Sequence, residues 1–471
     1  MQLNPFVVKV DKVGLRNSLS VWFLQNIMKK TEFQLQLGDL VKFIGKGYRS
    51  NSVIEAGINA IKEYAGYTHS NGEESVRKAV SRYWFGNEEK YNDIIITNGA
   101  TGAAYLMAWA IKPEKVAIPC FSYPTWFTST YKEGGEILTL ERDEEGKISK
   151  HSIESINEDV DYVVIIPFDN PTGVVISKEN ILEIISRLKN IRKEYGKTIP
   201  LVMDMEYFDL VFNKSPEEVK NEYVGIGKEW IVVYTWSLSK SISGPEWRAG
   251  FLAVDYGKEY ENEGMELINS LSIMNSDMLG INIASQFMIK QAMVDFLEQG
   301  ETYKKREEVR KLVANRVKNN YKALESIKEL NFMKKPECGF YCIGFVKENT
   351  PWKEEKLKER IWNKFRESAE KAGKIGIWKK WFMRKEVESY SLSELYALDL
   401  AMETKIIVVP YGRFNINEEN EKIGFRVVIP HKEELIEKVV KAWEDFHKKR
   451  FEKKEVIEEY MSSKLLWKSN M

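Results

Sequence analysis

The segment SLSKSISGPEWRAGF, residues 237–251, sets Lys240 in a Ser/Gly-rich turn after a β-rich run, with Arg248 eight residues further on. A lysine amine that can lose its proton forms an imine with an aldehyde cofactor, and a turn beside a phosphate-binding cluster would hold it against that carbonyl. Ser237, Ser239 and Arg248 would supply two hydroxyls and a cation for a phosphate dianion, which arginine meets with a bidentate fork. Ser-x-Ser-Lys also occurs in solvated turns, so this segment alone leaves both readings open.

Three further motifs bear on the choice. DNPTG (169–173) follows the apolar run DYVVIIP and would project the Asn170 amide from a strand's carboxyl end, where open α/β sheets bind ligands. Asn, Pro and Gly equally favour a plain turn. DMEYFDLVF (204–212) offers Asp204 and, three residues later, Tyr207. A buried carboxylate there could keep a pyridine nitrogen protonated, making the ring an electron sink, and a phenol could hydrogen-bond the ring's 3-oxygen. Each of these pairs would also serve as a helix cap or a surface feature. TNGATGAAY (97–105) joins a strand to a helix, and its small residues let backbone N–H groups approach an anion at the helix N-terminus. Dinucleotide sites and ordinary turns use the same device.

The elements that must position these residues are legible between 92 and 254. Short β-rich runs recur at 92–97, 115–119, 136–140, 161–167, 199–204, 230–236 and 250–254, most of them near-continuous apolar stretches suited to strands buried on both faces. Helical periodicity separates them at 102–111 and 178–196, and this alternation predicts a mostly parallel sheet wrapped by helices. A long charged helical pattern follows from about 283 to 328. Residues 331–345 and 405–414 then read as strands of a second α/β unit, closed by a helix from His431 to about Lys453, with 455–471 a terminal extension. The charged, Trp-containing stretch 347–404 reads as a helical elaboration between those strands, and its basic segment IWKKWFMRK (377–385) as a solvated helical face or a lid.

Composition narrows the partners. At 471 residues with 43% hydrophobic content the chain has apolar material for two globular units, and its 70 Lys+Arg balance 70 Asp+Glu, giving no global reason to expect nucleic acid or an anionic membrane. The start lacks a signal-peptide core and no run approaches ~18 apolar residues, so neither export nor a membrane span is expected. Three cysteines (120, 338, 342) form no paired framework and suit a reducing, cytoplasmic compartment. His69, His151, His431 and His447 are scattered, so no metal site is expected and no Ser-His-Asp or Cys-His arrangement is apparent.

Taken together and in order, NGATGAAY, PCFSYPTW, NPTG, DMEYFDL and SLSKSISGPEWRAG resemble the class I/II aminotransferases, fold-type I enzymes dependent on pyridoxal 5′-phosphate. The similarity covers about 40–255 well and returns more thinly at 331–345 and 405–430. It implies a three-layer α/β large domain with a mostly parallel seven-stranded sheet holding the cofactor (56–295), an N-terminal arm contributing to a small domain (1–55), and a C-terminal small α/β domain (296–471) with the insertion at 347–404. By the same resemblance Lys240 is the Schiff-base lysine and proton carrier, Asp204 the partner of the pyridine nitrogen, and Asn170 with Tyr207 the pair on the 3-oxygen. Ala100, Thr101, Ser237, Ser239 and Arg248 resemble the phosphate cradle, and Tyr123 the aromatic on the ring face. Arg426, in GFRVVIP, and Gly45, in VKFIGKG, resemble the residues that meet the substrate carboxylate. Tyr67 resembles the tyrosine that reaches the phosphate of a neighbouring subunit, which implies a homodimer with shared active sites.

The implied activity is transfer of an amino group from an L-amino acid to a 2-oxo acid. The same scaffold also serves lyases, decarboxylases and cyclases, and some relatives are non-catalytic regulators. Two positions depart from the family pattern: Met205 replaces a common Glu or Ala, and Glu206 replaces the usual small residue before the tyrosine, changing the packing beside the cofactor.

Overall fold

The structure is a computed structural model describing residues 33–34, 40–143, 145–278, 280–347, 354–371, 390–411 and 422–468. These fall into two compact units. The larger comprises Gly38–Asn315 with Lys334–Phe340; the smaller comprises Arg316–Met333 and the residues from Tyr341 onward, with Phe33–Gln34. The basic segment 377–385 lies outside the described residues.

All seven apolar runs between 92 and 254 form strands: β1 (Ile94–Asn98), β2 (Lys115–Pro119), β3 (Glu136–Leu140), β4 (Tyr162–Ile165), β5 (Leu201–Asp204), β6 (Val232–Ser237) and β7 (Ala249–Asp255). They make one sheet in the order β1-β7-β6-β5-β4-β2-β3, in which β7 alone runs antiparallel to its neighbours. Strands β4, β5, β6 and β7 are buried along their whole length, because helices cover both faces of a sheet wound this way.

The helices that matter for the site are α1 (Gly99–Ile111), α2 (Pro124–Lys132), α3 (Lys178–Tyr195) and the single turn α4 (Leu238–Ser241). Helix α3 shows how local chemistry sets its ends. Ser177 caps its start by accepting from Asn180 N, and Gly196 stops it in the left-handed region. The pattern at 283–328 is not one helix: Ile283–Glu298 ends at Gln299 and Gly300, and Glu301–Glu325 begins anew. Asp295 makes the break, since its carboxylate accepts from Thr302 N at 3.0 Å across the turn.

In the smaller unit, β8 (Leu330–Phe332), β9 (Tyr341–Val346), β10 (Val409–Pro410) and β11 (Gly424–Val428) form an antiparallel sheet ordered β10-β11-β9-β8. Within the stretch expected to be an elaboration, Glu354–Lys371 and Leu392–Thr404 are helices. The second is buried from Ser393 through Ala401, which makes it core of this unit rather than a solvated addition. The closing helix runs from Glu433 to Lys468 and absorbs most of the expected extension, since no Gly or Pro interrupts it.

Candidate active site

The large sheet brings the chemistry-bearing segments to one edge. Gly99 follows β1, Tyr123 follows β2, Asn170 lies beyond β4, Asp204 ends β5, and Ser237 ends β6 with Lys240 in the turn after it. Arg248 precedes β7, but β7 is antiparallel, so its start shares the edge where the parallel strands finish. The register puts Asp204 level with Thr235, Ser237 with Gly250 and Asn98 with Ala249.

Among the residues expected to cradle a phosphate, Ser237 Oγ lies 2.9 Å from Ser239 Oγ and accepts from Ser239 N at 3.2 Å. Arg248 donates to the carbonyls of Asn98 and Pro245 at 3.1 and 2.9 Å. These bonds hold it at φ 52°, a left-handed conformation that costs an ordinary residue about 1 kcal/mol. A Cβ on Gly99 would stand 2.5 Å from Arg248 Nη2, and one on Gly250 would stand 2.7 Å from Gly99 Cα and from Trp236 O. Only glycine at both positions lets the guanidinium and the start of α1 close on each other. Ala100 and Thr101 occupy the first turn of α1, which carries no acidic residue, so its N–H groups would suit an anion.

Of the residues expected at a cofactor ring, Asn170 Nδ2 donates to Tyr207 Oη at 3.5 Å in a buried contact. Tyr207 meets Phe340 edge to face at 5.6 Å, and Lys240 Nζ lies 6.0 Å from the centroid of each ring. The Asn170 turn is fixed by buried Asp169, which pairs with Arg142 at 3.1 Å and accepts from Thr172 Oγ1 at 2.5 Å. The Lys240 turn is fixed by Asp209. That carboxylate accepts from Ser241 Oγ at 2.8 Å and Trp236 Nε1 at 2.9 Å, and pairs with fully buried Arg306 at 3.2 Å.

Asp204 is buried at the floor. Its Oδ2 accepts from Trp126 Nε1 at 2.9 Å and its Oδ1 from Glu206 N at 3.2 Å. Burial pushes its carboxyl up to about 6, against the pull of those two donors toward the charged form. Glu206 is also buried, and Ser237 Oγ donates to its Oε1 at 2.6 Å. Desolvation raises it to about 8, reinforced by Asp204 and opposed by Lys240, Ser237 and Arg248. The departure read from sequence as a matter of packing is therefore also one of charge beside Ser237.

Of the other expected positions, Tyr123 stands at the N-cap position of α2, after β2, and is 40% exposed. Tyr67 is 90% exposed, and Gly45 is exposed with open space around it. Among the described contacts, none ties Tyr67 or Gly45 to the strand-end cluster. Arg426 sits on β11 of the smaller unit, buried, with its guanidinium 4.3 Å over the Tyr341 ring. Trp126, Phe340 and the Asp169–Arg142 pair were not singled out by sequence. Trp126 stands in the quoted PCFSYPTW motif, yet nothing local tells that its indole reaches a carboxylate 78 positions on.

Comparison with known proteins agrees with this geometry. The model of the family "Aminotransferase class I and II" matches residues 33–442, and the chain belongs to that family. Tyrosine aminotransferase of Dictyostelium discoideum is 24% identical over 300 residues, 62% of this chain and 67% of that protein. Glutamate-pyruvate aminotransferase of Haemophilus influenzae is 26% identical over 239 residues, 48% of this chain and only 55% of that protein. The solved alanine aminotransferase of Pyrococcus furiosus superposes with a TM-score of 0.70 at 22% identity, covering 95% of this chain and 100% of that one, which shows the shared fold.

Proposed function

We propose that this chain is a pyridoxal 5′-phosphate-dependent aminotransferase that moves an amino group from an L-amino acid to a 2-oxo acid, with Lys240 as the point of covalent attachment. The observation that carries the reading is the convergence of a lysine, a buried carboxylate and a hydroxyl-guanidinium cradle on one sheet edge. The donor set suits the cofactor: Gly99, Ala100, Thr101, Ser237, Ser239 and Arg248 offer N–H, O–H and guanidinium donors for its phosphate. Asp204 offers an anion for its ring nitrogen, and Asn170 and Tyr207 offer donors for its 3-oxygen. When bound, the protonated ring supplies an electron sink for the electron pair left on the substrate Cα.

The protein's own groups then have distinct tasks. Lys240 Nζ, once free of the cofactor, takes the Cα proton and returns one on the product side. Asp204, raised by burial to about 6 in the empty site, is drawn toward the anion by the ring cation it would face and keeps the opposite nitrogen protonated. Tyr123 covers the ring face, while Arg426 and Gly45 meet the substrate carboxylate. Tyr67, exposed on the single chain, fits a role in a neighbouring active site and hence a homodimer. Among the described residues no helix is long and apolar enough to cross a membrane, and no cluster of metal ligands occurs. The three cysteines are buried and free, which suits the cytoplasm.

The test mixes the purified holoprotein with single L-amino acids and no acceptor. Conversion to the pyridoxamine form, reversed by 2-oxoglutarate, is expected; consumption of amino acid without that conversion would assign elimination or decarboxylation instead. Trp126→Phe carries a second expectation. Losing the indole donor removes a hydrogen bond that favours the Asp204 anion, so its pKa rises further. The acid limb of pyridoxamine 5′-phosphate affinity in the cofactor-free protein, expected as pH falls through about 6, should move up by up to about one unit. An unmoved acid limb would separate Asp204 from that limb.

A further inference from the structure

Glu206 is out of place in an anion site. Its carboxyl is buried within hydrogen-bond reach of Ser237, next to Ser239 and Arg248, where a phosphate dianion has to sit if the cofactor reading holds. Oε1 accepts from Ser237, while Oε2 is buried with no hydrogen-bond partner. A carboxylate and a dianion packed this closely with little water would repel strongly. Two arrangements avoid that: displacement of the phosphate, or a proton on the carboxyl.

The cradle favours the proton. The groups that face Glu206 are Asp204 from the end of β5, Ser237 and Lys240 from the end of β6 and its turn, and Arg248 from the start of β7. Asp204 pushes it toward the neutral form, and the two cations pull the other way. Arg248 is shared with the incoming phosphate, and that dianion joins Asp204 and burial in stabilising the neutral acid.

We propose that Glu206 is an additional ligand of the cofactor phosphate, acting as a neutral carboxylic acid whose Oε2 hydroxyl donates a hydrogen bond to the dianion, so that binding is coupled to protonation of this side chain. The proposal rests on the pyridoxal phosphate reading. The proton balance is simple. A carboxylate takes one proton from solvent as the cofactor enters; a carboxyl already neutral takes none. The free group titrates near pH 8, so below that pH the acid is ready-made and affinity is unaffected by it. Above it, each pH unit costs about tenfold in affinity, because a proton must be bound first.

The experiment uses the full chain freed of cofactor and pyridoxamine 5′-phosphate as the probe, which binds without a covalent bond to Lys240. Its Kd is measured from pH 6.5 to 9.5 for the wild type and for Glu206→Gln, whose amide still donates but cannot titrate. The expected ratio of wild-type to variant Kd stays flat up to about pH 7.5 and climbs by close to tenfold per unit above about 8.5. A ratio constant across the range overturns the Glu206 proposal alone; failure of both proteins to bind the probe overturns the cofactor reading beneath it. Should Glu206→Gln not fold, calorimetry on the wild type in two buffers of different ionisation enthalpy decides. Near one proton taken up at pH 9 and near none at pH 7 supports the proposal, and equal uptake at both overturns it.

Discussion

Lys240→Ala should abolish the visible absorbance of the lysine-bound cofactor and lower amino transfer by about 10⁴-fold, the upper end of what a positioned general base contributes. Arg248 is tied to two carbonyls, and Ser237 and Ser239 are not basic at neutral pH. The fold should survive, because the turn is anchored through Ser241 and Trp236 on Asp209, and Lys240 contributes none of those bonds. Circular dichroism checks the fold, and absorbance with single-turnover kinetics checks the chemistry. A Lys240→Ala protein that transfers amino groups at the wild-type rate would remove this residue from the reaction.

Asp204→Asn carries the second large effect. The amide oxygen can still accept from Trp126 Nε1, so geometry is retained while the charge opposite the ring nitrogen is lost. A fall in kcat of about 10²–10³ is expected, the order measured when one buried electrostatic partner of a reacting group is removed. The pH profile makes this specific. In the cofactor-free protein burial raises the carboxyl to about 6, so affinity for pyridoxamine 5′-phosphate should fall as pH drops through 6 and the anion is protonated. In Asp204→Asn this group's part of the acid-side loss should vanish. A variant with the wild-type acid-side loss intact would assign it to another group.

The contrast between these two residues and Glu206 shows where sequence reading stops. Lys240, Asp204, Asn170 and Tyr207 stand at the ends of apolar runs, and a strand buried on both faces delivers whatever follows it to the ligand-binding edge. Their types and order were therefore informative without coordinates. Glu206 stood in the same motif, but whether its carboxyl met water or Ser237 depended on how β5 and β6 align, a register no local pattern encodes.

The chain's own periodicity determined the seven strands of the large sheet, the helices between them and the turn-borne residues, because apolar spacing and Gly/Asn/Ser punctuation act within a few positions. Only the tertiary structure decided the rest. The antiparallel entry of β7 carries Arg248 to the working edge, and the Trp126 indole reaches Asp204. The break at 299–300 depends on an Asp295 bond across the turn, and burial makes Leu392–Thr404 core. Each depends on sheet order or on desolvation of a polar group by distant neighbours, and both come into being when the chain packs.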